Sequence, residues 1–145
     1  MLTEELEIDR RKLGQLVFGN AQAMGWLNSA IHPIIRDRIE TQLGQLRALG
    51  CDVAVVDAAV LIQAGWDDLT DEVWVVKAPA EIVAERVAQA RGLQTWEVLG
   101  RINAQQELVQ EAEAKAGVVI DNAGSMEELH ATIAQLWKDR NLPVR

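Results

Sequence analysis

Three short runs rich in valine and isoleucine constrain this chain more than any other feature: Val53–Val56, Val73–Val76 and Val118–Ile120. Each is nearly continuous in apolar residues. A strand with one wet face alternates apolar and polar residues, because successive side chains point to opposite sides. A continuous run suits a strand of a parallel sheet buried on both faces. The segments between the runs carry helical spacing. Asp9 reads as the cap of a short helix through Leu13, Leu16 and Val17, and Asn20 as the cap of a second carrying Met24 and Leu27. His32-Pro33 reads as the opening of a longer helix, since proline suits the first helical position, where no N–H is needed. Ile35, Ile39, Leu43, Leu46 and Leu49 then repeat at helical spacing, and Gly50 stops the pattern. Pro79 opens a further helix that Gly92 closes, and Thr95 caps another that runs into the polar stretch Asn103–Lys115. Ser125 with Glu128 makes a capping box, behind which Leu129, Ile133 and Leu136 face one way. Strands that alternate with helices in this order predict an α/β fold with parallel strands and helical crossovers.

The length of 145 residues fits one domain. With 14 basic and 22 acidic side chains the formal net charge is −8. That balance argues against non-specific binding to nucleic acid or to an anionic membrane, which needs clustered positive charge. It leaves room for a small anionic ligand in a local basic pocket. Cys51 is the only cysteine, so no internal disulfide is expected; its surroundings read as the buried start of a strand. A reducing cytoplasm is the natural compartment. Met1 to Glu7 is acidic, unlike a signal peptide, and no apolar run is long enough to cross a membrane.

One motif is missing from the sequence. No stretch matches G-x-x-x-x-G-K-[ST], the loop whose backbone N–H groups surround nucleotide phosphates; the ten glycines are scattered. No run of strand type precedes residue 52.

A series of short motifs in order resembles the dephospho-CoA kinase family. Ile8 to Phe18 is similar to its D-x-x-x-x-R-x-x-L-x-x-x-V-F helix, and Leu27-Asn28 with His32-Pro33 to Arg36 is similar to its L-N…H-P-x-I element. Val55 to Trp66 resembles V-x-D-x-P-L-L-x-E-x-G, in a form closer to the kinase domain of bifunctional CoA synthase. Glu72 to Val76, Pro79 and Arg86 resemble the next strand and helix. Arg101 to Gln105 resembles a lid helix, and Val118 to Gly124 resembles the closing V-I-D-N-x-G. There are departures: the family's proline and glutamate after the Val55 strand are Ala59 and Gln63. The lid's Arg-Asp-Gly is Ala90-Arg91-Gly92, which displaces the arginine by one residue.

The resemblance implies a P-loop-kinase-like parallel sheet missing its first strand, with a helical CoA domain and lid helices. Residues 1–50 would be the CoA-domain helices, 51–87 and 116–140 the core, and 88–113 the lid, within one domain of 1–145. Members transfer the γ-phosphate of ATP, with magnesium, to the ribose 3′-hydroxyl of dephospho-CoA, and both cofactors become doubtful for a chain without the phosphate loop. The implied substrate-side residues are His32, Arg36, Asp57, Leu61 and Gln63. Those on the nucleotide and lid side are Arg86, Arg91, Arg101, Asn122 and Gly124. No catalytic or metal-binding residue is identified.

Each of these has a plainer structural reading. His32 reads equally as a helix cap, and Asp57 as the cap or turn that ends a strand. Gln63 is an amide and cannot act as a base. The three arginines read as solvated helix charge, Asn122 and Gly124 as a simple turn, and the five tryptophans as packing. Three functions stay open: a kinase chain inactive by itself, a non-catalytic binder of CoA-like molecules, and a structural oligomerisation protein. In the resembled fold the absent strand lies between the Val53 and Val73 runs. Their exposed edges are then expected to pair with each other, to drive homo-oligomerisation, or to accept a strand from a complementing chain.

Overall fold

The computed structural model describes residues 8–103 and 106–143; the side chains of Glu97, Arg101, Asn103 and Gln106 lie outside what is described. The chain divides into two compact units, Met1–Gly50 and Cys51–Arg145.

The first unit holds α1, Arg10–Val17, and α2, Ala21–Ala48. Both expected caps form. The Asp9 carboxylate accepts from the N–H groups of Arg11 and Lys12 at 3.1 and 3.0 Å, and Asn20 Oδ1 accepts from Ala23 N–H at 3.0 Å. These bonds satisfy amides that have no partner within the helix. The expected break at His32-Pro33 does not occur: α2 runs through Pro33 without interruption. Proline's fixed φ is already helical, so its cost here is the ladder bond its absent N–H would have made to Ser29 and the crowding of its ring against that carbonyl. The flanking helical turns carry it, and His32 is therefore a half-buried interior residue and not a cap. Gly50 stops the chain as expected, with φ at +72° and its N–H bonded to the Arg47 carbonyl at 3.0 Å.

The second unit holds two strands among the described residues, where the sequence predicted three. β1 is Trp74–Lys77 and β2 is Val118–Asp121. They run parallel in the register Trp74↔Val118 to Lys77↔Asp121, with the helices between them as the crossover. The Val53–Val56 run forms no strand, Cys51 is exposed and not the buried start of one, and Asp57 ends none. A strand is defined by the neighbour that bonds to it. β1 pairs with β2, so the direct pairing of the Val53 and Val73 runs is not realised, and Val55 is left 79% exposed. The sheet is also covered unevenly: Val118 and Ile120 are buried, while Val119 and Val76 are exposed, so both-face burial does not hold.

Between the Val53 run and β1 the chain winds a tight turn. Trp66 N–H bonds to the Leu61 carbonyl at 2.9 Å and Gly65 N–H to Ile62 at 3.0 Å, with Gly65 at φ +67°. This is the paired closure that a left-handed glycine permits. It leaves Ile62 and Trp66 at 6% and 3% exposure. The helix α3, Ala80–Arg91, starts after Pro79 and ends at left-handed Gly92, as expected. It packs against α4, Thr95–Asn103. Val98 N–H bonds to the Gln94 carbonyl, so Gln94 and not Thr95 holds the cap position. Then come α5, Gln106–Lys115, and α6, Met126–Asp139, the latter opened by the predicted Ser125–Glu128 capping box.

Among the described residues of this unit the buried apolar side chains are Ile62, Trp66, Ala84, Val98, Val118 and Ile120. So small a core makes each large member count. Trp66→Ala should cost about 3–5 kcal/mol, against a total domain stability of roughly 5–15 kcal/mol. Urea unfolding followed by circular dichroism should show a large drop in midpoint, or a unit already unfolded at 25 °C.

Candidate functional site

In parallel α/β sheets, ligands meet the protein beyond the carboxyl ends of the strands. Those ends here are the register partners Lys77 and Asp121. The segment that follows β2, residues 122–125, is bonded on several sides. Asn122 N–H continues the ladder to the Lys77 carbonyl at 2.7 Å. Ala123 N–H bonds back to Asp121 Oδ1 at 2.7 Å, the turn that a short acidic side chain favours. Ser125 N–H bonds to Glu128 Oε2 at 2.8 Å, and Glu128 N–H to Ser125 Oγ at 3.2 Å. A Cβ on Gly124 would collide with Glu128 Oε2, so with a side chain at 124 the Glu128 carboxylate would have to turn away from the place it holds in the capping box.

The same loop is held from α3. Arg86 Nη1 donates to the Asn122 carbonyl at 2.6 Å, and Nη2 donates to the Gly124 carbonyl at 3.0 Å and the Ala123 carbonyl at 3.5 Å. Of the nucleotide and lid residues expected from sequence, the structure thus brings together Arg86, Asn122 and Gly124. At the end of β1, Lys77 Nζ pairs with Glu113 Oε1 at 3.2 Å. Both side chains are largely solvated, so that pair is worth at most about 1 kcal/mol.

At the other end of the strands a second cluster fastens the unit. Glu72, two residues before β1, receives a two-pronged contact from Arg140, with Nη2 to Oε1 at 2.6 Å, and a bond from Trp74 Nε1 at 2.7 Å. The guanidinium also lies 5.1 Å from the centre of the Trp74 ring, within cation–π range. Hydrogen bonds from Arg140 first, and from Trp74 second, pull the Glu72 carboxyl from 4.5 down to about 2. Gly117 gives Glu72 room: a Cβ there would lie 2.8 Å from Glu72 Cγ.

The remaining expected residues are scattered. His32 and Arg36 lie one helical turn apart on α2 in the first unit, and Arg36 pairs with Glu40 at 2.8 Å. Asp57 is exposed in the irregular segment, Leu61 is half-buried in the turn, and Gln63 is exposed. Arg91 is exposed in the last turn of α3, and Arg101 belongs to α4 with its side chain outside those described. Of the tryptophans, Trp66 is packed, but Trp26 and Trp96 are 74% and 71% exposed, against the packing reading. Sequence reasoning singled out neither Lys77 with Glu113 nor the Glu72–Trp74–Arg140 cluster. Among the described residues no group of three His, Cys, Asp or Glu side chains converges to hold a metal ion, and no helix is long and apolar enough to cross a membrane.

A helical unit followed in the chain by two parallel strands, joined by a helical crossover and ending in a braced loop, defines the class: an α/β protein. Comparison with known proteins narrows it. The family model described as dephospho-CoA kinase matches residues 1–128. The chain is 43% identical over 133 residues to the dephospho-CoA kinase of Geobacter sulfurreducens, covering 92% of this chain and 67% of that one. It is 41% identical over 141 residues to that of Carboxydothermus hydrogenoformans, covering 95% and 68%. The solved dephospho-CoA kinase of Campylobacter jejuni superposes with a TM-score of 0.65 at 27% identity, covering 95% and 68%. A solved protein of Thermus thermophilus gives 0.69 at 27% identity, covering 92% and 68%. The chain belongs to the dephospho-CoA kinase family, and it spans about two thirds of the length of these relatives.

The Glu72 cluster has a pH signature. Its carboxyl titrates near 2 in the folded chain and at the ordinary 4.5 when released, so its stabilisation is complete above about 4.5. It is lost progressively as pH falls from 4.5 through 2. Thermal melts across that window should show a steeper loss of Tm for the parent chain than for Glu72→Gln.

Proposed function

We propose that these 145 residues form the acceptor-binding and lid side of a dephospho-CoA kinase. By themselves they bind dephospho-CoA, or a CoA-like molecule, without transferring a phosphoryl group to it. One observation carries this reading: the chain follows the family over residues 1–128, yet no G-x-x-x-x-G-K-[ST] stretch occurs in its sequence. Phosphoryl transfer depends on positioning and on charge stabilisation around the phosphates, and that loop supplies both.

The residues present do not fit the triphosphate of ATP with its magnesium ion. Arg86 is committed to three carbonyls, and among the described residues no acidic cluster awaits a metal. On the acceptor side the support is the α2 pair. His32 and Arg36 share a helix face at a spacing that lets two side chains converge on one anionic group, for which Arg36 would exchange its solvated pair with Glu40. In the second unit, taken by itself, the family resemblance would assign Asp57, Leu61 and Gln63 to the acceptor, and Arg91 and Arg101 to the lid.

A second reading, a structural role, draws on one observation: β1 has β2 on one edge, and the valine-rich run at Val53 has no strand beside it among the described residues. That open edge is where another copy, or a complementing chain, would pair.

Calorimetric titration should detect dephospho-CoA binding, and His32→Ala should weaken it by about 2- to 10-fold, the worth of one hydrogen bond. A coupled assay with ATP, magnesium and dephospho-CoA should stay at background. Turnover above background would overturn the non-catalytic reading. Absence of binding, together with a stable oligomer by sedimentation, would replace it with the structural one.

A further inference from the structure

We infer that Arg86 is a positioning residue, which sets the shape of the 122–125 loop from behind and does not serve as a phosphate ligand. The inference rests on the nucleotide-side reading of this end of the sheet only for its functional consequence, not for its geometry. A guanidinium has five N–H donors in a rigid fork, and a phosphate ligand must present that fork free. In Arg86 both terminal nitrogens point at main-chain oxygens: Nη1 at Asn122, and Nη2 at Ala123 and Gly124. Three of the five donors are thus taken by main-chain oxygens, and the two that remain, Nε–H and one Nη1–H, lie on different sides of the guanidinium and form no complete fork for a bidentate grip.

The loop's other polar groups explain why such a brace is useful. The N–H groups of Asn122, Ala123 and Ser125 already bond to the Lys77 carbonyl, Asp121 Oδ1 and Glu128 Oε2. With its carbonyls collected by Arg86, the segment has partners on both sides of its backbone, although it belongs to no helix or strand. Four separate elements hold it: the ends of β1 and β2, the first turn of α6, and the middle of α3. None of these contacts is buried, so their product is a fixed loop shape more than global stability. A ligand meeting this end of the sheet then finds a loop already ordered, without the entropic cost of arranging it.

The test uses the whole chain with Arg86→Met, which keeps the length and removes the donors, and Arg86→Lys, which keeps the charge and loses the fork. Amide hydrogen exchange and two-dimensional NMR report on Ala123, Gly124 and Ser125, with Leu136 in the body of α6 as the control for global opening. Exchange at the loop amides should rise by about tenfold or more in Arg86→Met, as for loss of a charged hydrogen bond, and by less in Arg86→Lys, with Leu136 unchanged. Loop amides that keep their shifts and exchange rates in both variants would overturn the inference. Titration with adenosine and with ATP separates the two roles. Positioning predicts the same fold-loss of affinity for both; a loss confined to ATP would make Arg86 a phosphate ligand and also overturn it. If the parent chain binds neither compound, the nucleotide-side reading fails, and the loop amides alone decide the role of Arg86.

Discussion

Everything in the second unit hangs on one parallel ladder, Trp74–Lys77 against Val118–Asp121. These runs are far apart in sequence, so closing them into register costs chain entropy that only tertiary contacts can offset. Ile120, at 2% exposure, and Val118, at 8%, supply the apolar part of that offset. The polar part is fastened at the two ends. Glu72 and Arg140 join the chain before β1 to the end of α6 across 68 residues. Arg86 joins α3 to the loop after β2 across 36 to 38 residues. A ladder of this length would be marginal alone. With both ends pinned by arginines it becomes the frame from which the candidate loop is presented.

The parts of this fold that could be read in the sequence are the ones decided locally. Asp9, Asn20, and Ser125 with Glu128 cap helices because each reaches an amide two or three residues away, and that reach needs no knowledge of the rest of the chain. Gly50 and Gly92 end helices because of their own backbone freedom. Pro33 departs from its local signal for a related reason: its chemistry permits a helix start, but Asn20 already supplies one, and a helix under way tolerates a proline whose φ is suitable. The Val53 run failed as a strand because strand formation is a property of pairs. Nothing local in Val-Ala-Val-Val says whether a neighbour will be present.

The site divides along the same line. Arg86, Asn122 and Gly124 were legible as a group through the order of family motifs, and they do meet. What the motifs did not convey is that they meet each other, arginine to carbonyl. Glu72 with Arg140 was not legible at all, since a glutamate before a strand and an arginine after a helix are individually unremarkable charges. Their significance is created by the register of β1 and β2 and by the place where α6 ends.

The tight fit between Gly124 and Glu128 makes the cap divisible. A methyl group at 124 would press on the far end of the Glu128 side chain, with Cδ 3.1 Å from where that Cβ would sit. That end is flexible, so the carboxylate would swing aside and release Ser125 N–H, while the Ser125 hydroxyl would keep the Glu128 amide. Half of the box is therefore held in reserve: the helix would still begin at the same residue with one of its two reciprocal bonds gone.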